Sequence, residues 1–570
     1  MKPHPHSTLE SARSRLVGGL LLGAAAAIAP GGLHAQTAID TAKVDQVFAK
    51  FLGNDSPGCA LGVYRAGSIV FARGYGMADL ERSVAITPST LFDLGSTSKQ
   101  FTAAAIALLV ADGKVRFEDD IRRYVPEVPD FGTPITLDHL VRHTSGLRDY
   151  IGLLNFGGRR IDDASNDAEA LRIIGRQRAL NFAPGTEWDY SNSGFFLLSI
   201  VVERVTGKNL AEFARERIFR PLGMNRTDFR NDHTAILRGR ALGYSPGEQG
   251  GLINDVPNWD QLGDGAVWSS VEELARWDAN FYEPKVGGQA MLDRLQELGH
   301  LNDGKPHGYG RGLFLDQYRG LARVHHGGAW GGYRAMLMRF PSERTSIALT
   351  CNVATAGTQG LAEGVADVIL AEKLAPAEAK ARETESTAAA GMPARERAPY
   401  LGLYFSEQAE MAVQVAEQSE RLVLKALGTA FALSRVTADS FASASPVAAA
   451  FEGAGATKSA VRLWVLGSPR GSFSRVEQAN PSASELEEFA GRYYAPELDG
   501  TFELAVTDGK LTATSRGTGT ATLEPAMRDA FSGLGFIRFA RDRRGRVTGF
   551  RLSLSRVKGL VFERQAQGSR

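Results

Sequence analysis

A serine and a lysine three positions apart are the residues of this sequence best suited to chemistry. Ser96-Thr97-Ser98-Lys99 opens an apolar stretch with helical periodicity, and residues i and i+3 lie on one face of a helix. The Ser96 hydroxyl and the Lys99 amine could therefore meet. A lysine withdrawn from water loses its proton more readily, so Lys99 could be the base that activates Ser96 for acyl transfer.

The spacing by itself does not select this pair. About one or two Ser-x-x-Lys sequences are expected by chance in a chain of this length and ordinary composition. The second one here, Ser555 and Lys558, lies in a run with the period of a strand. Residues i and i+3 of a strand point to opposite faces, so that pair could not cooperate. Secondary structure therefore favours Ser96 and Lys99, while the alternative for Ser96 is a helix cap.

The only Tyr-x-Asn sequence of the chain, Tyr190-Ser191-Asn192, follows the turn-forming Pro184-Gly185. A phenol can transfer a proton to a leaving group when nearby cations lower its pKa. An asparagine amide can orient a lysine and a substrate amide. The alternative is a loop tyrosine beside a turn-forming asparagine.

A third candidate, His325-His326-Gly327-Gly328, precedes a strand-like run. A histidine on an edge strand could polarise Tyr190 or bind a substrate carboxylate, and glycine lets the strand backbone approach a substrate closely. Two registers are possible, and we favour His326-x-Gly328 because Gly328 then stands clear of the cluster. A His-Gly-Gly sequence alone is more typical of a turn.

Taken in order, these three motifs resemble those of the penicillin-recognising serine hydrolases. That family includes class C β-lactamases, D-alanyl-D-alanine carboxypeptidases, D-aminopeptidases and related esterases. The resemblance covers Val44 to Asn352 and implies an acyl-enzyme on Ser96, with base and acid work shared by Lys99 and Tyr190. It also implies amides of Ser96 and of Trp330 or a neighbour as the oxyanion hole. The residues implied to bind substrate are Asn192, His326 and Gly328.

Other segments that resemble the family, including His143 to Leu147 and Gly263 to Ser270, are interpreted as scaffold. The third motif distinguishes the branches of this family, and with them the possible substrates. β-Lactamases carry lysine in this motif. Histidine is more like the carboxypeptidase, aminopeptidase and esterase branches, so D-amino-acid amides, D-peptides or small esters are the leading substrates. The alternatives are a β-lactam hydrolase and a non-catalytic binder of cell-wall peptides. No metal or organic cofactor is implied.

A nucleophile elbow of the α/β-hydrolase type also has to be considered. Gly243-Tyr244-Ser245-Pro246-Gly247 has the Gly-x-Ser-x-Gly pattern. The elbow needs a backbone N–H directly after the nucleophile, and Pro246 has none. This segment is therefore interpreted as a turn.

Helices and strands alternate in a way that predicts an α+β catalytic domain over residues 37–373, with an antiparallel sheet flanked by helices. Strand-like runs near its start would pair with strand-like runs near its end, and the central helices would pack on that sheet. The resemblance implies a β-lactamase/transpeptidase-like fold. The segments concerned are a helix at Asp40 to Phe51 and strands at Ala60 to Tyr64, Ser68 to Ala72, Ala335 to Phe340 and Ser346 to Cys351.

A repeat fills the rest of the chain. Gly402, Leu422 and Phe473 recur 89 positions later as Gly491, Leu511 and Phe562. Period-2 runs divided by turn signals predict two small all-β, barrel-like domains at 400–477 and 478–567, after a linker at 374–399. The resemblance adds that D-stereospecific aminopeptidases carry two such barrels, one loop of which can reach the active site and restrict substrates.

The composition and the N-terminus indicate which partners and which cellular location to expect. The net charge of +1 argues against nucleic acid as a partner. Residues 1–35 read as a secretory signal, with Arg13 and Arg15 before a short apolar run, so we expect a secreted or periplasmic protein without membrane insertion after cleavage. Cys59 and Cys351 could pair there, but two small buried thiols are expected. The oligomeric state is left open.

Overall fold

The computed structural model describes residues 39–53, 55–376, 392–426, 429–443, 447–453, 457–465, 468–554 and 556–566. Asp40–Arg570 is a single structural unit. The expected secretory signal at 1–35 lies outside the described residues, as do residues 377–391 of the expected linker. Within the described ranges, no helix combines the length and the apolar character needed to cross a membrane.

The region that precedes the linker mixes helices with strands. In chain order the strands are β1 Cys59–Arg65, β2 Ser68–Tyr75, β3 Met77–Asp79, β4 Val84–Ala85, β5 Phe92–Asp93, β6 Asp228–Phe229, β7 Tyr244–Pro246, β8 Leu252–Asn254, β9 Val267–Ser269, β10 Phe314–Tyr318, β11 Leu321–Trp330, β12 Tyr333–Phe340 and β13 Thr345–Cys351. The helices are α1 Thr41–Val47, α2 Lys99–Ala111, α3 Leu137–Val141, α4 Tyr150–Phe156, α5 Asp167–Gly175, α6 Asn192–Thr206, α7 Leu210–Ala214, α8 Arg220–Leu222, α9 Val271–Ala279, α10 Gly288–Leu295 and α11 Thr358–Ile369.

The main sheet of this region joins the two ends of its chain segment. Its strand order is β10-β11-β12-β13-β1-β2, and every neighbouring pair is antiparallel. All residues of β13 are buried although alternate residues point to opposite faces, so both faces of the sheet are covered. Helix α11 packs on β12 and β13, and α9 packs on β1, β2 and β13. The predicted α+β arrangement is confirmed.

Cys59 and Cys351 form a disulfide across the pairing of β1 with β13. The expectation of two buried thiols is therefore wrong. The antiparallel register places the two cysteines directly opposite each other, although they are 292 positions apart in the chain. Strand spacing along the sequence carries no information on which strands become neighbours, so this pairing was not accessible from the sequence.

The disulfide makes a testable prediction about stability. A cross-link over 292 residues restricts the unfolded chain, so its loss should lower the free energy of unfolding by about 2–4 kcal/mol. Chemical unfolding of the oxidised protein and of a Cys59→Ser/Cys351→Ser double variant would measure the difference. Reductant should destabilise the wild type and leave the double variant unchanged. Alkylation of two thiols in the unreduced, denatured wild type would contradict the bond.

Two closed eight-stranded barrels follow. The short helix α12, Ala394–Arg397, precedes the first barrel, and α13, Ala483–Glu487, precedes the second. The first barrel comprises β14 Gly402–Ser406, β15 Met411–Gln418, β16 Arg421–Ala426, β17 Thr429–Arg435, β18 Ser440–Ala442, β19 Val447–Glu452, β20 Ala460–Val465 and β21 Ser468–Val476. The second comprises β22 Gly491–Ala495, β23 Gly500–Thr507, β24 Lys510–Ser515, β25 Gly519–Met527, β26 Ala530–Ser532, β27 Phe536–Arg541, β28 Val547–Leu554 and β29 Val557–Arg564.

The repeat in the sequence is a repeat of contacts as well. Tyr404 donates a hydrogen bond to the carbonyl oxygen four residues earlier (2.8 Å), and Tyr493 does the same in the second barrel (2.7 Å). Arg475 lies over the ring of Tyr404, and Arg564 lies over the ring of Tyr493. The prediction of two small all-β barrels is confirmed.

One local expectation differs from the structure. The run that contains the second Ser-x-x-Lys is not a single strand, because β28 ends at Leu554 and β29 begins at Val557. Lys558 lies on β29, and Ser555 lies outside the described residues. The segment therefore includes the connection between two strands of the second barrel, β28 and β29.

Candidate active site

Ser96 is held in a tight turn between a strand and a helix. Strand β5 leads into a 3₁₀ turn, Gly95–Ser98, and α2 begins at Lys99. The Gly95 amide donates to Asp93 Oδ1 at 2.8 Å, which fixes the entry to the turn. A Cβ added to Gly95 would lie 2.7 Å from the amide nitrogen of Ala329 on β11. The turn therefore lies directly against this strand.

Lys99 is completely buried and joins two of the sequence motifs. Its Nζ donates to Ser96 Oγ at 3.1 Å and to Asn192 Oδ1 at 2.9 Å. A third donation reaches the carbonyl oxygen of Asp264 at 2.5 Å. The Tyr190 ring centroid lies 4.9 Å from the same nitrogen. Four of the candidate residues, Ser96, Lys99, Tyr190 and Asn192, thus form one cluster, the catalytic cluster.

Burial lowers the pKa of Lys99 to about 7. The carboxylates of Asp264 and Asp149 act in the opposite direction but do not offset the loss of hydration, and the Arg556 guanidinium lowers the pKa further. A neutral amine is then available near neutral pH. In this neutral form the two N–H groups can donate to Asn192 and to the Asp264 carbonyl oxygen, which leaves the lone pair 3.1 Å from Ser96 Oγ to accept the hydroxyl proton.

Tyr190 differs from the expectation in its charge state. Burial raises its pKa above the ordinary value, and the opposing influences of Ser96 and Arg556 are smaller. A nearby cation, Arg556, does lower this pKa, but burial outweighs its effect. Its hydroxyl is buried and has no hydrogen-bond partner among the described residues. A phenol that keeps its proton is suited to donate it rather than to act as the first base.

Asn192, the first residue of α6, is oriented by a carboxylate that sequence reasoning missed. Asp149 Oδ2 accepts from the Asn192 backbone N–H at 2.8 Å and from its Nδ2 at 2.9 Å. With its Nδ2 held in this way, Asn192 presents Oδ1 to Lys99. Asp149 also caps α4 by accepting from the Ile151 amide at 3.1 Å. In the sequence it has only the appearance of an ordinary helix cap.

Asp264 is a second missed residue, since its segment was interpreted as scaffold. Its carbonyl oxygen binds Lys99, and its carboxylate accepts from the Tyr150 hydroxyl at 3.2 Å. Burial raises the pKa of this carboxyl to about 7. The titrations of Lys99 and Asp264 are thus coupled at the same site.

Gly328 lies beside the Ser96 turn, in agreement with the favoured register. A Cβ at Gly328 would come within 1.8 Å of the Leu94 carbonyl oxygen, so the close approach of β11 requires glycine here. The Thr97 hydroxyl donates to the His326 carbonyl oxygen at 3.1 Å and joins the strand to the turn. The next residue, Ala329, brings its amide to the turn, whereas the Trp330 ring packs on Trp259 with ring centroids 5.5 Å apart.

The His326 ring lies next to the catalytic cluster, with its centroid 6.2 Å from that of Tyr190, but its hydrogen bonds go elsewhere. Its Nδ1 lies 2.6 Å from the Gly327 carbonyl oxygen and must donate to it, so Nε2 accepts from the Tyr309 hydroxyl at 3.0 Å. Burial lowers its pKa to about 3. A neutral ring with both nitrogens occupied neither hydrogen-bonds Tyr190 nor supplies a cation for a carboxylate. In this structure the His326 ring therefore makes neither of the two expected interactions.

Neighbouring histidines play other parts. His325 faces Asp316 at 3.2 Å, away from the turn. His143 packs its ring on Tyr190, with centroids 4.1 Å apart, and its Nδ1 accepts from the Ser191 amide at 3.2 Å. Burial lowers the His143 pKa well below its usual value. This placement agrees with a supporting role for His143.

Ser245, the serine of the possible elbow, is not arranged as a nucleophile. It lies in β7, which pairs with β8 rather than leading into a helix, and its hydroxyl donates to Asp255. The segment is thus a short strand and not the turn that was expected. No strand-to-helix elbow exists at this serine.

The second barrel adds a residue that sequence reasoning did not identify. Arg556, in the connection between β28 and β29, places its guanidinium carbon 4.8 Å from the Tyr190 ring centroid. A barrel loop thus reaches the site, as the family resemblance implied. No sequence signal points to it, because Arg556 follows Tyr190 by hundreds of residues and belongs to no motif.

Comparisons with known proteins identify the family of this chain. A family model described as Beta-lactamase matches residues 44–370. The D-aminopeptidase of Gluconobacter oxydans is 32% identical over 311 residues, which are 55% of this chain and 58% of that protein. Penicillin-binding protein 4* of Bacillus subtilis is 29% identical over 379 residues, covering 64% of this chain and 82% of that protein. The chain thus matches little more than half the length of the D-aminopeptidase.

A solved structure extends the likeness in fold. The octameric penicillin-binding protein homologue from Pyrococcus abyssi superposes with a TM-score of 0.56 at 20% identity. The superposition covers 83% of this chain and 98% of that one. At this level of identity the likeness concerns the fold alone.

Proposed function

This chain belongs to the Beta-lactamase family, and from that membership we propose that it is a serine hydrolase acting through an acyl-enzyme on Ser96. Its substrates are D-amino-acid amides, D-peptides or small esters. The observation that carries the proposal is the buried Lys99 amine, hydrogen-bonded to Ser96 at 3.1 Å and to Asn192 at 2.9 Å, with a pKa of about 7. A non-catalytic binder would have no use for a lysine with a lowered pKa beside a serine hydroxyl.

Acylation follows from the charge states of the catalytic cluster. The neutral Lys99 amine takes the Ser96 proton while Oγ bonds to the substrate carbonyl carbon. Amides of Ser96 and Ala329 stabilise the oxyanion that forms. The bond to the leaving group breaks as Tyr190 donates its proton to the departing nitrogen or oxygen. Protonated Lys99 then returns a proton to Tyr190, 4.9 Å from its ring centroid.

Deacylation repeats these steps with water in place of the leaving group. A base of the cluster takes a proton from the water, whose oxygen bonds to the acyl carbon. The bond to Ser96 Oγ then breaks as Oγ regains a proton. The free acid leaves, and Lys99 and Tyr190 are back in their starting states. Asn192, fixed by Asp149, keeps Lys99 in place throughout the cycle.

The choice of D-amino-acid derivatives is supported by the matching relatives that are D-aminopeptidases by name. β-Lactam hydrolysis is the second candidate, because it belongs to the same family. It is less favoured because the third motif has a buried, neutral His326 where the β-lactamase branch carries a lysine.

Export is part of the proposal. Residues 1–35 have the pattern of a secretory signal. The disulfide between Cys59 and Cys351 supports an oxidising compartment, since such bonds persist mainly outside the cytoplasm. We therefore propose a secreted or periplasmic enzyme.

The proposal is tested by turnover of matched chromogenic substrates. We expect D-alanine p-nitroanilide to be hydrolysed at least about 10-fold faster than its L enantiomer, because a chiral pocket orients only one of them for attack. p-Nitrophenyl acetate and a chromogenic cephalosporin would complete the panel. Faster turnover of the L substrate, or a cephalosporin rate above that of the D-anilide, would overturn the proposed substrate class.

A further inference from the structure

The connection between β28 and β29 is fixed to the catalytic domain by its backbone. The Arg556 carbonyl oxygen accepts from the Asp149 amide at 3.0 Å and from Asn181 Nδ2 at 2.9 Å. Asn181 Oδ1 accepts from the Lys558 amide at 2.8 Å, and Arg148 Nε donates to the Lys558 carbonyl oxygen at 2.9 Å. Asp149 is also the residue that orients Asn192. These hydrogen bonds therefore fix the backbone of Arg556 relative to the catalytic cluster.

A buried ion pair strengthens this attachment. Arg148 and Glu497 lie 2.8 Å apart, with side chains only 2% and 8% exposed. Glu497 also accepts from the Arg178 amide at 2.8 Å. The second barrel thus packs on the catalytic domain through specific, buried contacts. These contacts hold the connection between β28 and β29 at the site.

The Arg556 side chain is exposed and lies over the Tyr190 ring at 4.8 Å. Other arginines on the same barrel have acidic partners, for example Arg551 with Glu410 at 3.0 Å and Arg516 with Asp163 at 2.8 Å. No carboxylate of the described residues forms an ion pair with Arg556. A guanidinium whose N–H donors are unoccupied among the described residues is suited to bind a carboxylate in two-pronged geometry.

Lys99 and His326, two other basic residues at the reaction centre, do not supply such a charge. Lys99 is committed to Ser96, Asn192 and the Asp264 carbonyl, and its pKa is about 7. His326 is neutral, because burial lowers its pKa to about 3. Neither residue is therefore placed to hold a substrate anion, whereas Arg556 is.

We propose that Arg556 of the second barrel binds a carboxylate on the leaving-group side of the scissile bond, so that the preferred substrates are peptides that end there in a free D-amino acid. The side is set by Tyr190, which donates to the leaving group and whose ring Arg556 covers. In a leaving D-amino acid the carboxylate is attached to the carbon next to the departing nitrogen. This inference rests on the proposed function and narrows its substrate class.

The test compares two substrates that differ only at this carboxylate: D-alanyl-D-alanine and D-alanyl-D-alaninamide. We expect the wild type to favour the free acid by about 10- to 100-fold in kcat/KM, the range of a hydrogen bond to a charged group. Arg556→Gln should bring the ratio close to one, mainly through KM, and Arg556→Lys should retain part of it. Arg544→Gln is the matched control, since Arg544 is an exposed arginine on another loop of the same barrel.

Binding separates this inference from the proposed function. In a Ser96→Ala background, calorimetry with the same two ligands measures the carboxylate preference without turnover. A binding preference that depends on Arg556, without hydrolysis by the wild type, would keep the inference and reject the proposed function. Hydrolysis of both ligands with equal kcat/KM, a ratio unchanged in Arg556→Gln, or equal binding of the two ligands would overturn the inference.

Discussion

Replacing Ser96 with alanine should remove covalent reactivity and lower hydrolysis by at least about 10,000-fold, because Ser96 is the only hydroxyl that Lys99 hydrogen-bonds among the described residues. Intact mass after treatment with a fluorophosphonate measures the first effect. The wild type should gain one phosphonyl group, and Ser96→Ala should gain none. Release of p-nitroaniline from D-alanine p-nitroanilide measures the second.

Ser245 provides the matched control for this experiment. It is the serine of the Gly-x-Ser-x-Gly motif that the sequence raised as a competing nucleophile, and its hydroxyl donates to Asp255. Ser245→Ala should keep both the adduct and the activity of the wild type. An adduct that persists in Ser96→Ala and disappears in Ser245→Ala would show that Ser245 is the nucleophile and that our mechanism names the wrong serine.

Replacing Lys99 with methionine should lower kcat by about 1,000-fold, within the range of general base catalysis. Methionine fills a similar volume but cannot accept the Ser96 proton. The pH profile makes the assignment specific. Lys99 acts as a base only when neutral, so wild-type kcat/KM should rise with pH up to the lowered pKa of about 7 and level off above it. In Lys99→Met this rise should be absent.

The Asp264→Asn variant tests whether the Asp264 carboxylate influences the pKa of Lys99. The Asp264 carboxylate raises the Lys99 pKa, opposing the effect of burial. Removing that charge should move the ascending limb of the pH profile to lower pH, while the Asp264 carbonyl can still hold Lys99. A limb that stays near pH 7 in Lys99→Met would mean that another group controls the profile. Thermal unfolding of each variant would verify that it is folded.

What the sequence determined by itself is local. The spacing of Ser96 and Lys99 at a helix start, the strands β1 and β2 and the repeat that starts at Gly402 and Gly491 all depend on patterns that the sequence displays directly. Helix and strand periods decide which side chains share a face, so these features follow from spacing alone. The family motifs added the placement of Tyr190 and Asn192 around the same serine.

The tertiary structure decided which distant segments meet and how far each group is removed from water. The disulfide of Cys59 with Cys351, the hold of Asp149 on Asn192 and the arrival of Arg556 from the second barrel all join residues far apart in the chain. The raised pKa of Tyr190 and the neutrality of His326 depend on burial. Desolvation is a property of the packed surroundings and not of residue type, which is why both departed from expectation.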